Sequence, residues 1–400
     1  MTNSITTSDR DARGAVPADL LDAVNELTAW RRDLHSHPEI GFTETRTSGL
    51  VAERLAAFGC EVHTQIGGTG VVGVLRNGTG MRSIGLRADM DALPMVEENG
   101  FGHCSSNHGV MHACGHDGHT TMLLGAARHL ANTRNFNGCV HFIFQPAEEG
   151  LGGATAMMKE CLFERFPCES VYAMHNMPGI PVGHFGIRPG SMLAGGGFFD
   201  IDIKGRGGHG AMPHHSADPV IVGSEMTMSL QTIVSRRINP VEPAVISVTR
   251  FHAGDAYNVI PQLARIGGTV RGFSNAVLDQ IEQEVRRVAD GVASAHGVEA
   301  SISFRRLFAP LVNAERETAL IADVAAGIVG ERNVNRAHHL LLGSEDFSFM
   351  MEARPGAFIL IGNGENASQV HSPTYDFNDE ILPLGAALFV GVAERELAVA

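Results

Sequence analysis

Nine consecutive residues, Met111-His112-Ala113-Cys114-Gly115-His116-Asp117-Gly118-His119, hold a thiol, three imidazoles and a carboxylate. Zinc-like ions take Cys sulfur, His nitrogen and carboxylate oxygen, so this density of donors is what a transition-metal site requires. Cys114 and His116 stand two apart. That spacing shares no helix face but suits a turn entering a helix, where the positive helix end and a metal both favour thiolate. The competing pair is His112 with His116, at i and i+4 on one helix, but Gly115 and Gly118 make a helix there costly. One cluster rarely closes a metal site, and three further segments offer donors. Glu148-Glu149 follows Gln145-Pro146-Ala147, His175-Asn176 follows an apolar run, and His371-Ser372-Pro373 lies late in the chain. An arbitrary pair of adjacent glutamates is usually a solvated acidic patch. Here the apolar run before it and Gly150, Gly152 and Gly153 after it predict a tight, buried corner. Adjacent side chains of extended backbone point in opposite directions, so one carboxylate could bind metal while the other faces an attacking water. A single His is more often structural than a ligand, and His63, His103, His129, His141 and His184 are read that way.

The elements around these residues are legible from periodicity. Residues 20–58 read as helical, interrupted at His37-Pro38 and Gly41, and 61–76 alternates as strands with Asn77-Gly78 as a hairpin turn. Within it, Gly68-Thr69-Gly70-Val71-Val72-Gly73 matches a dinucleotide-binding pattern. Such a fingerprint must open a helix, whereas this one runs on as a strand, so the cofactor reading is rejected. Apolar runs at 83–88, 139–144 and 170–174 alternate with helical patterns at 119–132 and 154–162. That is the βαβ signature of a mostly parallel sheet covered on both faces, whose sites lie at the carboxyl ends of its strands. Beyond those ends stand Asp89 and Asp91, then Glu148 and Glu149, then His175.

The pattern changes after Arg188-Pro189-Gly190. A strand from residue 197, a helix over 219–238, strands at 244–252 and 262–273, a helix over 275–295 and a strand near 300–305 give a βαββαβ order, the ferredoxin-like arrangement. The βαβ style resumes with a helix at 317–329 and a buried strand at 357–362. The expected fold is therefore α/β: a catalytic domain of 20–190 and 308–400, with a mostly parallel mixed sheet flanked by helices. An α+β domain of 191–307 is inserted into it.

The 400 residues carry a formal net charge of −14. That balance argues against nucleic acid, whose phosphates demand basic patches, and against a polybasic membrane site. No apolar run of about 18 residues is present, so no transmembrane helix is expected. Residues 1–19 are polar and read as a disordered leader without a secretory signal. Six cysteines without a CxxC spacing fit a reducing cytoplasm better than a disulfide framework.

Taken in order, these motifs resemble a metal-dependent family that includes aminoacylases, hippurate hydrolase and glutamate carboxypeptidases. The likeness is greatest to its branch of bacterial N-acyl-amino-acid amidohydrolases and plant auxin-amide hydrolases. It spans almost everything after the leader: Leu34-His35 with Pro38-Glu39, Arg87-Ala88-Asp89-Met90-Asp91-Ala92-Leu93-Pro94, the segment at 112–117, Gln145 to Gly150, Gly207-Gly208-His209 with Met212-Pro213-His214, Asn258-Val259-Ile260-Pro261, Glu345-Asp346-Phe347, and His371 with Asp376-Phe377-Asn378-Asp379. The resemblance implies that Cys114, His116, Glu149, His175 and His371 bind two divalent metal ions, with Glu148 as general base and Asp91 supporting a metal-site group. The wider family has His where this chain has Asp89, and a bridging Asp where it has Cys114. The amidohydrolase branch shares that departure, which bears on the metal (zinc, manganese, cobalt or nickel) more than on the reaction. The resemblance also implies that the inserted domain serves as a lid or dimerisation domain, in a homodimer or dimer-based oligomer in which His209 reaches the partner's active site, and that Asn258 binds substrate. Arg271 is added from its charge and position. The expected activity is hydrolysis of an N-acyl or N-aroyl amino acid, with a dipeptidase or N-acetyl-amino-acid deacetylase on the same chemistry as the alternative.

Overall fold

The structure, a computed structural model, describes residues 16–399. Most of the expected leader lies outside the described residues, but its last part departs from expectation. Val16 is buried and Ala18–Asp22 is helical, with Asp19 accepting a hydrogen bond from His129 Nδ1 at 2.8 Å.

Two compact units divide the chain. One comprises Met1–Gly190, Val312–His339 and Phe349–Ala400, and the other Ser191–Leu311 and Leu340–Ser348. The sequence assigned all of 308–400 to the first, whereas the chain visits the second again over Leu340–Ser348.

The first unit is built on an eight-stranded mixed sheet. Its order is Glu61–Ile66, Gly70–Asn77, Gly138–Gln145, Ser83–Asp89, Ser170–Pro178, Gly356–Gly364, Phe185–Gly186, Val334–Asn335. Ser83–Asp89 runs parallel to both of its neighbours, and Gly356–Gly364 is parallel to Ser170–Pro178. Such strands are covered on both faces and must be apolar throughout, as Gly138–Gln145, buried at every position, illustrates. The helices Val24–Ser36, His116–Thr133, Glu315–Val329 and Leu382–Glu396 contribute to the same apolar core. The hairpin turn falls at 67–69, between Glu61–Ile66 and Gly70–Asn77, and not at Asn77-Gly78. Asn77 instead donates to the carbonyls of Arg134 and Phe136, which turns the chain away from its own hairpin.

The second unit has a four-stranded antiparallel sheet in the order Ala244–Ala253, Leu263–Gly272, Gly195–Lys204, Glu299–Phe308. This is the ferredoxin-like order. Helices Pro219–Arg236 and Asn275–His296 supply the apolar side of its core. Asp218 and Ser274 cap their first turns by accepting from Val220 N and Val277 N. Among the described residues no helix is long and apolar enough to cross a membrane.

Close approach of the chain to itself fixes the helix that begins at His116. A Cβ on Gly118 would lie 2.2 Å from the ring of Phe377, a fully buried residue that cannot give way. Gly118→Ala is expected to lower the melting temperature of the metal-free protein by several degrees, since overpacking a tight core costs about 1–3 kcal/mol. An unchanged melting curve would show that the Phe377 contact is slack.

Candidate metal centre

The left-handed Gly115 (φ 92°) forms the corner between Cys114 and the helix His116–Thr133. Only glycine fits, because a Cβ there would lie 2.1 Å from Asn176 Oδ1. Cys114 and His116 thus stand where the turn enters the helix, with Cys114 against His175 and His116 near Asp89, and His112 lies outside the helix. His175 comes from Ser170–Pro178, and its ring Nε2 is 3.4 Å from Cys114 Sγ. His371, itself left-handed at φ 63°, is tied by its backbone N–H to Ala113 O at 2.7 Å. Its Nε2 stands 3.2 Å from Glu149 Oε1.

Three overlapping sets of donor atoms each lie within 4.8 Å of one another: Cys114, His116 and His175; Cys114, Glu149 and His371; His116, Glu148 and Glu149. Five of the expected ligands and the expected base therefore come together from four segments. The last set corrects one expectation. Glu148 and Glu149 lie in a turn, not in extended backbone, and both carboxylates approach His116.

Hydrogen bonding separates donors that are free from donors that are engaged. His116 Nδ1 faces Asp91, at 2.9 Å from its carbonyl and 3.2 Å from Oδ1, while Asp91 Oδ2 accepts from Glu149 N at 3.0 Å. Asp91 therefore orients His116 and the glutamate turn together. His116 Nε2 is buried with no hydrogen-bond partner, and the buried Glu149 Oε1 meets only the His371 ring. Buried polar atoms left in that state are costly unless something binds them, and a divalent cation between an imidazole and a carboxylate would do so. The residues present fit a metal. Burial, and then Glu149, push the Cys114 thiol up, which a bound cation would reverse. Cys114 and then Glu149 lift His371 to about 10.

A fourth buried set, Asp89, His116 and His119, also has metal-like spacing. The sequence reading passed over His119, yet its role is visible here. Asp89 gives one oxygen to His119 Nδ1 at 2.7 Å and the other to Arg87 Nη1 at 2.7 Å, and His119 Nε2 lies 2.7 Å from Asn176 Oδ1. Burial opposes the Asp89 carboxylate, but His116, Arg87 and His119 together hold it well below the usual range. These donors are engaged with one another, so Asp89 and His119 form the floor of the centre.

His209, Asn258 and Arg271 belong to the second unit. The short strand Gly208–His209 pairs with Val259–Ile260, and Gly210 N donates to Asn258 O at 2.8 Å, so His209 and Asn258 are neighbours. Arg271 is not. It lies near the far end of Leu263–Gly272, about 26 Å along the strand at its usual rise, and its Nη1 donates to Thr269 Oγ1 and Val270 O.

The sequence profile described as peptidase family M20/M25/M40 matches residues 85–395. The chain belongs to this family. Over 380 residues it is 42% identical to hippurate hydrolase of Campylobacter jejuni, covering 95% of this chain and 98% of that one. It is 40% identical over 387 residues to IAA-amino acid hydrolase ILR1-like 4 of Arabidopsis thaliana, covering 93% and 87%. A crystal structure of Bacillus subtilis YXEP, described as a dinuclear metal-binding peptidase of family M20, superposes with a TM-score of 0.83 at 30% identity, covering 95% of this chain and all of that one. The M20 chain described here is a metallo-amidohydrolase with the two-part fold of its family.

In this M20 enzyme a buried ionic cluster stands behind the candidate metal ligands. His35, fully buried, places Nδ1 2.9 Å from Asp117 Oδ2 and Nε2 3.2 Å from Glu97 Oε1, while Arg31 reaches Asp117, Asp376 and Asp379. Burial disfavours the His35 cation, but Asp117 and Glu97 outweigh it and raise its pKa from 6.5 to about 9. The folded state thus holds this proton more tightly than the unfolded chain. The stabilisation is fully present below about pH 6.5 and is lost as pH rises through about 9. The melting temperature of metal-free wild type should fall more steeply between pH 6.5 and 9.5 than that of His35→Gln. Parallel curves would show that His35 carries no extra proton.

Proposed function

We propose that this enzyme hydrolyses the amide bond of N-acyl or N-aroyl amino acids, hippurate or indoleacetyl-amino acids among them, to a free acid and an amino acid. The observation that carries the reading is the meeting of Cys114, His116, Glu149, His175 and His371 beside the buried carboxylate of Glu148. The names of its relatives in Campylobacter and Arabidopsis support the substrate class. Those five side chains would hold two divalent ions, and the Cys114 sulfur favours zinc while imidazole and carboxylate also suit manganese, cobalt or nickel. Bound there, such ions polarise a carbonyl and acidify water.

The remaining chemistry belongs to the protein's own groups. Glu148 takes the proton of the attacking water and returns it to the leaving nitrogen. Asp91 holds His116 in the orientation that turns Nε2 toward Glu148 and Glu149, and the buried floor of Asp89, His119 and Asn176 fixes the ring of His119 beneath His175. His209, from the second unit of a partner subunit in a two-fold dimer, would donate to the developing oxyanion, which requires a donor within about 3 Å.

Release of free amine from hippurate, an indoleacetyl-amino acid and an N-acetyl amino acid, with and without prior chelation, tests the whole reading. Full activity after exhaustive removal of metal would end it. Glu148→Gln should keep its metal and lose about 10²–10⁴-fold in kcat, whereas Glu149→Gln should lose metal content. Exchanged phenotypes would reverse the two roles.

The dimer can be tested by complementation. Glu148→Gln and His209→Ala proteins should each be nearly inactive. After subunit exchange of equal amounts, about half the dimers are mixed and each has one intact site, so about a quarter of wild-type activity should return. No recovery from proven heterodimers would mean that His209 does not serve a partner's site.

A further inference from the structure

The turn that carries Glu148 and Glu149 adopts a backbone conformation that its sequence does not favour. Ala147 has φ 54° and is fully buried, in the left-handed region where a Cβ is penalised. Something outside the turn must hold it there: Asp91 bonds Glu149 N, and the side chain that bonds Ala147 itself is Glu44. Its Oε1 accepts the Ala147 N–H at 2.9 Å, and its other oxygen accepts the hydroxyl of Thr69. Glu44 has no exposed surface, although it lies where the chain enters the helix Thr45–Ala57. A carboxylate is expensive to bury, and this one stands against a single catalytic turn.

The surroundings are shaped for that contact. A Cβ on Gly41 would lie 2.8 Å from Ala147 Cα, so only glycine lets the two segments close. The glycine-rich stretch 67–70, which resembles a nucleotide motif but opens no helix, is the hairpin turn that presents Thr69 to Glu44. Ser48 steadies it by donating to Thr69 O, and Gly70 packs against Pro146. The same segment also grips the loop of Asp91. Ala92 N donates to Glu39 O at 2.9 Å, and Ile40 pairs with Ala92. One stretch, 39–48, therefore braces both the loop that orients His116 and the turn that bears the two glutamates.

We propose that Glu44 is a positioning residue for the reaction: by pinning Ala147 in its left-handed conformation, it sets Glu148 and Glu149 against His116. The proposal rests on the reading of Glu148 as base and Glu149 as ligand. A misplacement of about 1 Å in such a group can cost about 100-fold in rate, so loss of the brace is expected to show in catalysis and in metal affinity together.

Three variants of the full chain test it: Glu44→Ala, Glu44→Gln, and Glu44→Ala combined with Ala147→Gly. In the metal-free Glu44→Ala protein, hydrogen exchange followed by mass spectrometry should accelerate in the peptide covering 146–153 and not in the strand Ser83–Asp89. Zinc affinity, measured against a chromogenic chelator, and kcat at saturating zinc should each fall by about tenfold or more, with KM within about threefold. Glu44→Gln keeps the acceptor for Ala147 N and should stay near wild type. Ala147→Gly removes the penalty on left-handed backbone and should restore part of what Glu44→Ala loses. Unchanged exchange at 146–153, equal acceleration across the whole first unit, or damage in Glu44→Gln matching that in Glu44→Ala would overturn the proposal. Should wild type cleave no acylated amino acid, the functional reading fails, while exchange and zinc competition still decide the role of Glu44.

Discussion

A ring nitrogen buried without a hydrogen-bond partner, His116 Nε2, is the constraint on which the site depends. Folding has removed it from water and placed two carboxylates near it, those of Glu148 and Glu149. Such an arrangement is unfavourable as it stands and becomes favourable when a cation is shared between the groups. The other nitrogen of the same ring is held by Asp91, so the ring cannot turn to escape. The protein therefore holds donors where the chemistry needs them, at the expense of leaving them poorly satisfied.

That strain is distributed over a rigid background. The parallel strands end together, and the loops beyond them are fixed by contacts that tolerate no added atoms, as at Gly115 against Asn176 and Gly118 against Phe377. Left-handed backbone recurs at the site, in Gly115, Ala147 and His371. Each of these residues lies next to or at a proposed metal ligand or base. Strain of this kind persists where surrounding structure over-determines it, and the buried Glu44, Asp91 and Asp89 do that work from behind.

Charge is managed in the same layered way. The side chains of the proposed ligands meet one another across the centre, as His175 meets Cys114 and His371 meets Glu149, whereas the groups behind them are paired among themselves: Asp89 with Arg87 and His119, His35 with Asp117 and Glu97, Arg31 with three aspartates. Breaking one member of a buried pair leaves an uncompensated charge, which is far more costly than the pair itself is stabilising. The inner carboxylates and imidazoles therefore hold their orientations, and those orientations define where the proposed ligands point.

The sequence by itself determined the donors and the elements that carry them. Cys114 and His116 declared a turn into a helix because glycine flanked them, and each apolar run announced a strand with a ligand or base beyond its end. The alternation of strand and helix was enough to separate an α/β unit from a ferredoxin-like one. Local signals of this kind depend on neighbours in the chain, so one sequence contains them. Other features depend on contacts between residues far apart. Asn77-Gly78 had the chemistry of a hairpin turn, yet Arg134 and Phe136 redirected it. Glu148 and Glu149 have the sequence of an extended segment, yet they lie in a turn after a left-handed Ala147 whose N–H is accepted by Glu44, more than a hundred residues earlier. Asp89 and His119 had the composition of ligands, and only the positions of Arg87 and Asn176 show their polar atoms already engaged. Residue types and spacing show which groups can do chemistry, but which of them remain free to do it is decided by hydrogen bonds that only the tertiary structure closes.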